Sequence, residues 1–331
     1  MDFSLVDMER YITEYDESLK DAKRVLWIVS SRGCPFNCGF CYNKVFNMNR
    51  WRGHSAEFMI KKINDLTDKY KIDFIRFMDD NFFGDFKRAE KIIRNIKVPY
   101  FAEGMIHYIT PGFAGMLKET RCRELMVGVE SGSDRMLKLI NKPFKTKDVV
   151  NSIRIMQQYA PGVRIGACFI FGLPTETLEE FRSTVRLLVE LEKIHKNIIF
   201  NPQYFLPYPG TQLYELAKEM GFKPPTKTED WDQINNYFTK KDSKYSKPWV
   251  EWKENFETAN IRNYIFMLWY LDIYRIPNIF KRITRWRMRN SNYFLPIDVI
   301  LFIWVWRILR YGSSQNAFLR SVCDFLRRFK R

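Results

Sequence analysis

VLWIVSSRGCPFNCGFCYN, residues 25–43, sets an apolar run directly before three cysteines. Val25–Ser30 reads as a short strand, rich in β-branched and aromatic residues. Cys34, Cys38 and Cys41 follow on the loop leaving it, spaced Cys-x3-Cys-x2-Cys. Disulfides consume cysteines in pairs and a structural zinc ion takes four ligands, so a group of three needs something to complete it. Thiolates are soft ligands suited to iron–sulfur clusters, zinc or copper(I). A four-iron cluster takes one cysteine per iron, so three cysteines leave one iron for an exogenous molecule. Two plainer readings stand beside it: a zinc ion completed by His54, and three incidental thiols.

Outward from this loop, residues 25–222 alternate short apolar runs with longer amphipathic stretches. Strands are expected at Val25–Ser30, Phe74–Met78, Tyr100–Ile106, Leu125–Glu130, Arg164–Phe171 and Ile198–Phe205. Helices are expected at Ala56–Tyr70, Phe86–Asn95, Asp148–Tyr159 and Thr177–Lys193, the last opened by a capping arrangement of Thr177 with Glu180. Strands separated by helices imply a parallel sheet, and six units suit a partial TIM-like (β/α)6 barrel of the α/β class. In such barrels chemistry sits where strands end and loops begin. The cysteines follow the first strand, Asp79 and Asp80 end the second, Glu130 ends the fourth, and Gly172–Glu176 follow the fifth. Glu103, His107 and Tyr108 lie near the third strand's end, where residues face a substrate or serve as ordinary loop and core members.

With 331 residues, 46% hydrophobic and 28% charged, the chain can bury a sizeable core and is not of disordered composition. Its first residues lack the basic start and apolar run of a signal peptide. Six cysteines give no dense disulfide framework, so a reducing cytoplasm is the simplest home. The net charge of +16 is concentrated at the end: Lys244–Arg331 carry 17 Lys and Arg against six Asp and Glu, and six of the nine tryptophans. The expected organisation is a linker-like segment 1–24, a core barrel 25–222 and a mainly helical, basic, aromatic-rich extension 223–331. Residues 263–290 and 294–312 suit helices lying at an anionic membrane surface, peripheral to its inner face. A helical subdomain packed on the barrel is the rival reading, and nucleic-acid binding a third.

Cys-x3-Cys-x2-Cys with Phe40 just before the last cysteine resembles the radical S-adenosylmethionine enzymes. In that family the open iron of a [4Fe-4S] cluster is chelated by S-adenosylmethionine, whose reductive cleavage releases a 5′-deoxyadenosyl radical that abstracts a substrate hydrogen. FMDDNFF (77–83), VGVESGSDRMLKLINK (127–142), FIFGLPTETLEEF (169–181) and YFLPYPGTQLYE (204–215) are similar to segments of the same superfamily. The resemblance implies that Cys34, Cys38 and Cys41 hold the cluster beside Phe40. It places Asp79 or Asp80 at the methionine amino group, Glu130 and Ser131 at the ribose or methionine part, and Ile170 with its neighbours up to Gly172 along the adenine. It also implies a reducing partner such as flavodoxin or ferredoxin. The likeness is closest to the cobalamin-binding subgroup, whose N-terminal cobalamin domain has no counterpart here. A separate chain supplies cobalamin, or it is not used, or the chain is a fragment. The methylthiotransferase branch needs a second three-cysteine cluster, for which Cys122, Cys168 and Cys323 are too dispersed. The expected activity is modification of an unidentified small or lipid-linked substrate. The alternatives are cobalamin-assisted methyl transfer, a non-catalytic iron–sulfur or membrane-associated module, and RNA modification.

Overall fold

The computed structural model describes residues 5–13, 22–231, 248–250 and 278–293, and short pieces at 261, 263–265, 267, 297–298 and 300–301. Along the chain run β1 (Ile12–Thr13), β2 (Val25–Ile28), β3 (Ser31–Arg32), α1 (Asn43–Phe46), β4 (Arg52–Gly53), α2 (Ala56–Tyr70), β5 (Phe74–Phe77), α3 (Phe86–Asn95) and β6 (Tyr100–Met105). They continue with α4 (Pro111–Glu119), β7 (Cys122–Glu130), α5 (Asp134–Leu139), α6 (Thr146–Tyr159), β8 (Arg164–Phe171), α7 (Leu178–Ile194), β9 (Ile198–Tyr204), α8 (Gln212–Glu219) and α9 (Asn278–Arg289).

Seven strands share one sheet in the order β1-β2-β5-β6-β7-β8-β9. The last six are parallel and β1 is antiparallel at the edge. This is a six-unit, partial α/β barrel, and the helices start and stop where local chemistry directs. Ser55 caps α2 by accepting from the Phe58 N–H at 3.2 Å, and Lys71 ends it in the left-handed region at φ 53°. Thr177 and Glu180 close a reciprocal capping box on α7, as the sequence suggests.

The two sheet faces differ. Leu26, Ile75, Phe77, Leu125, Val127, Ile165, Phe169 and Phe200 are buried on the helix-covered face, with Met59, Ile63, Ile92, Leu117, Ile153 and Leu188 buried on the helices. Each such side chain stabilises the fold by about 1.5–3 kcal/mol. On the inner face, register sets Trp27, Arg76, Phe101, Glu124 and Arg164 in one row. The Arg76 guanidinium lies 3.7 Å from the Phe101 ring centre and 4.8 Å from that of Trp27, and Arg164 pairs with Glu124 at 3.4 Å. Above it runs a row of Glu103, Met126 and Gly166, and above that Gly128, Cys168 and Asn201.

Five strand ends depart from expectation: β5, β6 and β9 stop one residue early, at Phe77, Met105 and Tyr204, and two larger departures have identifiable reasons. β7 starts at Cys122 rather than Leu125, because Cys122 already pairs with Tyr100 of β6 before the register shifts to Phe101–Glu124. β2 ends at Ile28 rather than Ser30, because the Ser30 N–H donates to the Asp79 carboxylate instead of a neighbouring strand.

Met1–Tyr15 and Asp21–Lys253 form one compact unit, and Asp16–Lys20 with Glu254–Arg331 another. The first extends past the boundary expected at residue 222. Trp249 is 2% exposed, lies edge-on to Phe205 and Phe222, and donates its indole N–H to the Gly172 carbonyl at 3.0 Å. Within the second unit, Asp298 accepts from the Tyr264 hydroxyl at 2.8 Å and pairs with Arg287 at 3.2 Å. The stretches 263–290 and 294–312, read as membrane-facing or packed helices, lie largely outside the described residues. Among the described residues no helix is long and apolar enough to cross a membrane.

Candidate active site

The loop after β2 carries Cys34, Cys38 and Cys41, each half-buried and within electrostatic reach of the others. Burial pushes the Cys38 thiol up, against the nearby Lys142 ammonium, and pushes Cys41 up to about 11. Among the described residues no three His, Cys, Asp or Glu side chains gather tightly enough to hold a metal ion. The His54 ring packs on Phe58 at 5.0 Å, so the zinc reading lacks a ligand set among the described residues. A four-iron cluster takes one cysteine thiolate on each of three irons, the donor set that three neighbouring thiols on one loop supply. Cys34, Cys38 and Cys41 fit such a group and would bind it as thiolates, releasing their protons.

Two aspartates tether this loop. Asp79, 2% exposed, accepts from the Ser30 N–H at 2.7 Å, the Ser30 hydroxyl at 2.6 Å and the Ser31 hydroxyl at 2.5 Å. Burial pushes its carboxyl up, while those bonds and the Arg88 guanidinium pull it down. Arg88 itself donates to the Ser30 and His54 carbonyls at 2.8 and 2.6 Å. Asp80 accepts from the Gly33 N–H at 2.6 Å and the Tyr42 hydroxyl at 3.2 Å. Gly33 sits at φ +85°, where an added Cβ would lie 2.0 Å from the Arg50 carbonyl oxygen, so only glycine suits the turn.

The Asn43 side chain accepts from the Cys34 N–H at 3.0 Å and donates to the Cys34 carbonyl at 2.6 Å. Asn81 donates its amide N–H to the Cys34 sulfur at 3.5 Å and to the Tyr108 hydroxyl at 3.2 Å. His107 takes the edge of Phe36, another loop residue, at 5.0 Å. His107 and Tyr108 thus support the cysteine loop.

From the opposite side, the segment after α5 grips the loop. Gly39 donates its N–H to the Ile140 carbonyl and accepts from the Leu213 N–H, both at 3.0 Å. Asn141 donates to the Asn37 carbonyl at 3.1 Å. Next to it, Lys142 forms an ion pair with Glu130 at 2.9 Å, with side chains only 6% and 7% exposed. Burial works to lower the Lys142 pKa, but Glu130 and Cys38 outweigh it and hold the pKa above the usual lysine value. The same ammonium lies 5.5 Å from the Phe40 ring centre and 6.0 Å from that of Phe144. Glu130 takes up this position at φ 68°, where the β7–β8 register shifts. Sequence reasoning named Glu130 and Phe40 but missed Lys142 and Asn81. The one available signal was an acid ending the apolar run MVGVE, which needs a buried partner.

The remaining expected residues are placed nearby in the fold. Ser131 is buried, with its hydroxyl 3.3 Å from that of Thr184. Ile170 pairs in register with Gln203 on β9. Gly172, at φ +69°, donates its N–H to the buried Glu176 carboxylate at 2.7 Å and gives its carbonyl to Trp249.

A family model described as the radical SAM superfamily matches residues 28–188, spanning the cysteine loop and the strands through β8. Residues 28–188 are therefore similar to the radical SAM superfamily. An uncharacterized methyltransferase of Pyrococcus horikoshii is 33% identical over 195 residues, covering 57% of this chain and 41% of that protein. The bacteriochlorophyllide d C-8(2)-methyltransferase of Chlorobaculum tepidum is 25% identical over 228 residues, covering 65% and 49%. The chain thus spans less than half the length of either relative. Among solved structures, the cobalamin-dependent S-adenosylmethionine radical enzyme OxsB superposes with TM-score 0.53 at 15% identity, covering 92% of this chain and 50% of that one. The radical S-adenosylmethionine methyltransferase TsrM from Kitasatospora setae gives 0.51 at 17% identity, covering 61% and 42%. These two likenesses concern the fold.

Proposed function

We propose that the barrel binds a [4Fe-4S] cluster through Cys34, Cys38 and Cys41 and cleaves S-adenosylmethionine reductively to modify a small or lipid-linked substrate. The observation that carries the reading is the three-thiol loop, pinned at a strand end by Asp79 and Asp80 and gripped from the far side by Ile140–Lys142. Held by Cys34, Cys38 and Cys41, the cluster would supply the one-electron reduction that cleavage of S-adenosylmethionine requires. The chain's own residues then have separate tasks. Asp79, Asp80 and Asn43 fix the loop, and Asn81 donates to the Cys34 sulfur, a bond that tunes a cluster's potential. The family resemblance puts Glu130 and Ser131 near the ribose or methionine part, where Glu130 would act through its sealed pair with Lys142, and backbone groups from Ile170 to Gly172 along the adenine. A flavodoxin- or ferredoxin-like protein provides the electron.

A second reading, cobalamin-assisted methyl transfer, is favoured by the methyltransferase names of the two relatives. Cobalamin then comes from a domain or chain outside the barrel. The methylthiotransferase alternative finds no support in Cys122 and Cys168, which lie at the start of β7 and near the end of β8.

Anaerobic reconstitution, reduction and addition of S-adenosylmethionine should yield 5′-deoxyadenosine, and Cys38→Ala should abolish it. An intact cluster with no product, even with cobalamin and lipid extract added, would sink the proposal in favour of a non-catalytic module.

A further inference from the structure

We infer that Glu103 is the substrate's anchor: its carboxylate accepts from an ammonium or hydroxyl group of the molecule to be modified. The inference rests on the radical SAM reading above and deepens it by naming a substrate class.

The position comes first. Glu103 lies on β6, in register with Met126 on β7, in the inner row directly above Arg76, Phe101 and Glu124. Its neighbour Gly104 faces the other way, since a Cβ there would meet Leu125 and Phe83 at 3.3 Å. The inner row therefore places the Glu103 carboxylate over the barrel interior, close enough to feel Asp79 and Asp80, the tethers of the cysteine loop.

The other charged groups on this face are occupied. Arg76 is sandwiched between Trp27 and Phe101, Arg164 pairs with Glu124, and Glu130 pairs with Lys142. Among the described residues, no hydrogen bond or ion pair reaches Glu103, which is half-buried with its oxygens unsealed. A carboxylate taken partly out of water without a partner is unfavourable. Burial pushes this one up to about 7, with Arg76 opposing and Asp80 and Asp79 adding to the rise. A bound donor would remove that penalty.

The charges also choose the ligand. Among the described residues, the cation whose charge acts on Glu103 is Arg76, which Glu124 shares, while Asp79 and Asp80 add negative potential. An incoming carboxylate or phosphate would be repelled, and an ammonium or hydroxyl welcomed. One row higher, the Asn201 side chain donates towards the Cys168 sulfur at 3.8 Å and accepts from Gln203 at 2.8 Å, offering further polar contacts to the same molecule.

The test uses the full chain, with and without its reconstituted cluster, and three probes that differ at one end: n-butylammonium, n-butanol and n-butyrate. Saturation-transfer NMR reads their binding. The ammonium and the alcohol should bind at least about tenfold more tightly than butyrate, the scale of one charge-assisted hydrogen bond. Glu103→Gln, nearly isosteric, should lose the ammonium preference and admit butyrate, while Glu103→Asp should keep the preference. Equal binding of butyrate and ammonium to the parent overturns the inference, as does an undiminished ammonium preference in Glu103→Gln. Iron content and S-adenosylmethionine binding are measured on the same samples. A chain that takes up no iron yet prefers the ammonium overturns the cluster reading and leaves the Glu103 site standing.

Discussion

Replacing Lys142 with methionine should be among the most damaging single changes to the barrel that leave its hydrophobic core intact. The 2.9 Å pair with Glu130 is almost sealed from water, with side chains 6% and 7% exposed. Methionine fills similar volume, so the cavity contribution is small and the loss is mainly electrostatic. Removing one partner of a buried pair costs about 3–5 kcal/mol, because the other charge stays behind uncompensated. An independent ceiling follows from proton uptake. An ordinary glutamic acid can be neutralised at pH 7 for about 4 kcal/mol, so Lys142→Met should lose no more than that plus one hydrogen bond. At pH 5 neutralisation needs only about 1 kcal/mol, and the penalty should shrink accordingly. Glu130→Gln in the Lys142→Met background removes the stranded charge and should recover at least about 2 kcal/mol, giving a large coupling in a double-mutant cycle. Urea unfolding of the metal-free chain under reductant, followed by circular dichroism at both pH values, measures all of this. If Lys142→Met unfolds within about 1 kcal/mol of the parent at pH 7, or the double variant is no better than the single, the pair does not hold the site as described.

Asp79→Asn keeps the shape of the tether but turns an amide N–H towards groups that already donate, Ser30 and Ser31. Leaving buried donors unmet costs about 1–3 kcal/mol each, and reconstituted iron per chain should fall with the loosened loop; full iron content would refute the tether. Gly33→Ala combines a left-handed φ with a 2.0 Å approach to the Arg50 carbonyl, so it should also fail to retain iron while the helices of the barrel stay folded by circular dichroism. His195, fully buried at the end of α7, is held by desolvation at a pKa of about 4, below the ordinary 6.5. A lowered folded pKa means stability present above pH 6.5 and lost as pH falls towards 4, about 3 kcal/mol in all, and His195→Gln should flatten that part of the pH–stability curve.

What could be read in the sequence follows from range. Apolar runs and helical periodicity are local, so Ala56–Tyr70, Phe86–Asn95 and Arg164–Phe171 were legible to the residue. Strand ends were less so wherever a side chain intervened from far along the chain, as Asp79 does at Ser30, 49 residues away. The cysteine spacing singled out the loop after β2, and strand order put Asp79, Asp80 and Glu130 on the same rim. Which way those acids point was not legible, because it depends on hydrogen-bond donors that other segments supply.

Lys142 shows the limit most clearly. In sequence it is the last residue of LKLINK, just past a helix, where a lysine usually sits in solvent against the helix dipole. In the fold Asn141, at φ 58°, turns the chain back, and Lys142 goes inward to Glu130, Phe40 and Cys38. Gly128 makes room for it: a Cβ there would lie 2.1 Å from a Glu130 carboxylate oxygen and 3.2 Å from the Lys142 nitrogen. The glycine, the acid and the lysine form one unit spread over 15 positions from Gly128 to Lys142, and each alone has an ordinary explanation. Together they set a buried ion pair beside the Cys38 thiol, whose pKa Lys142 lowers and Glu130 raises. The irregular β7–β8 register that gives Glu130 its unusual φ is therefore what brings the pair against the cysteine loop.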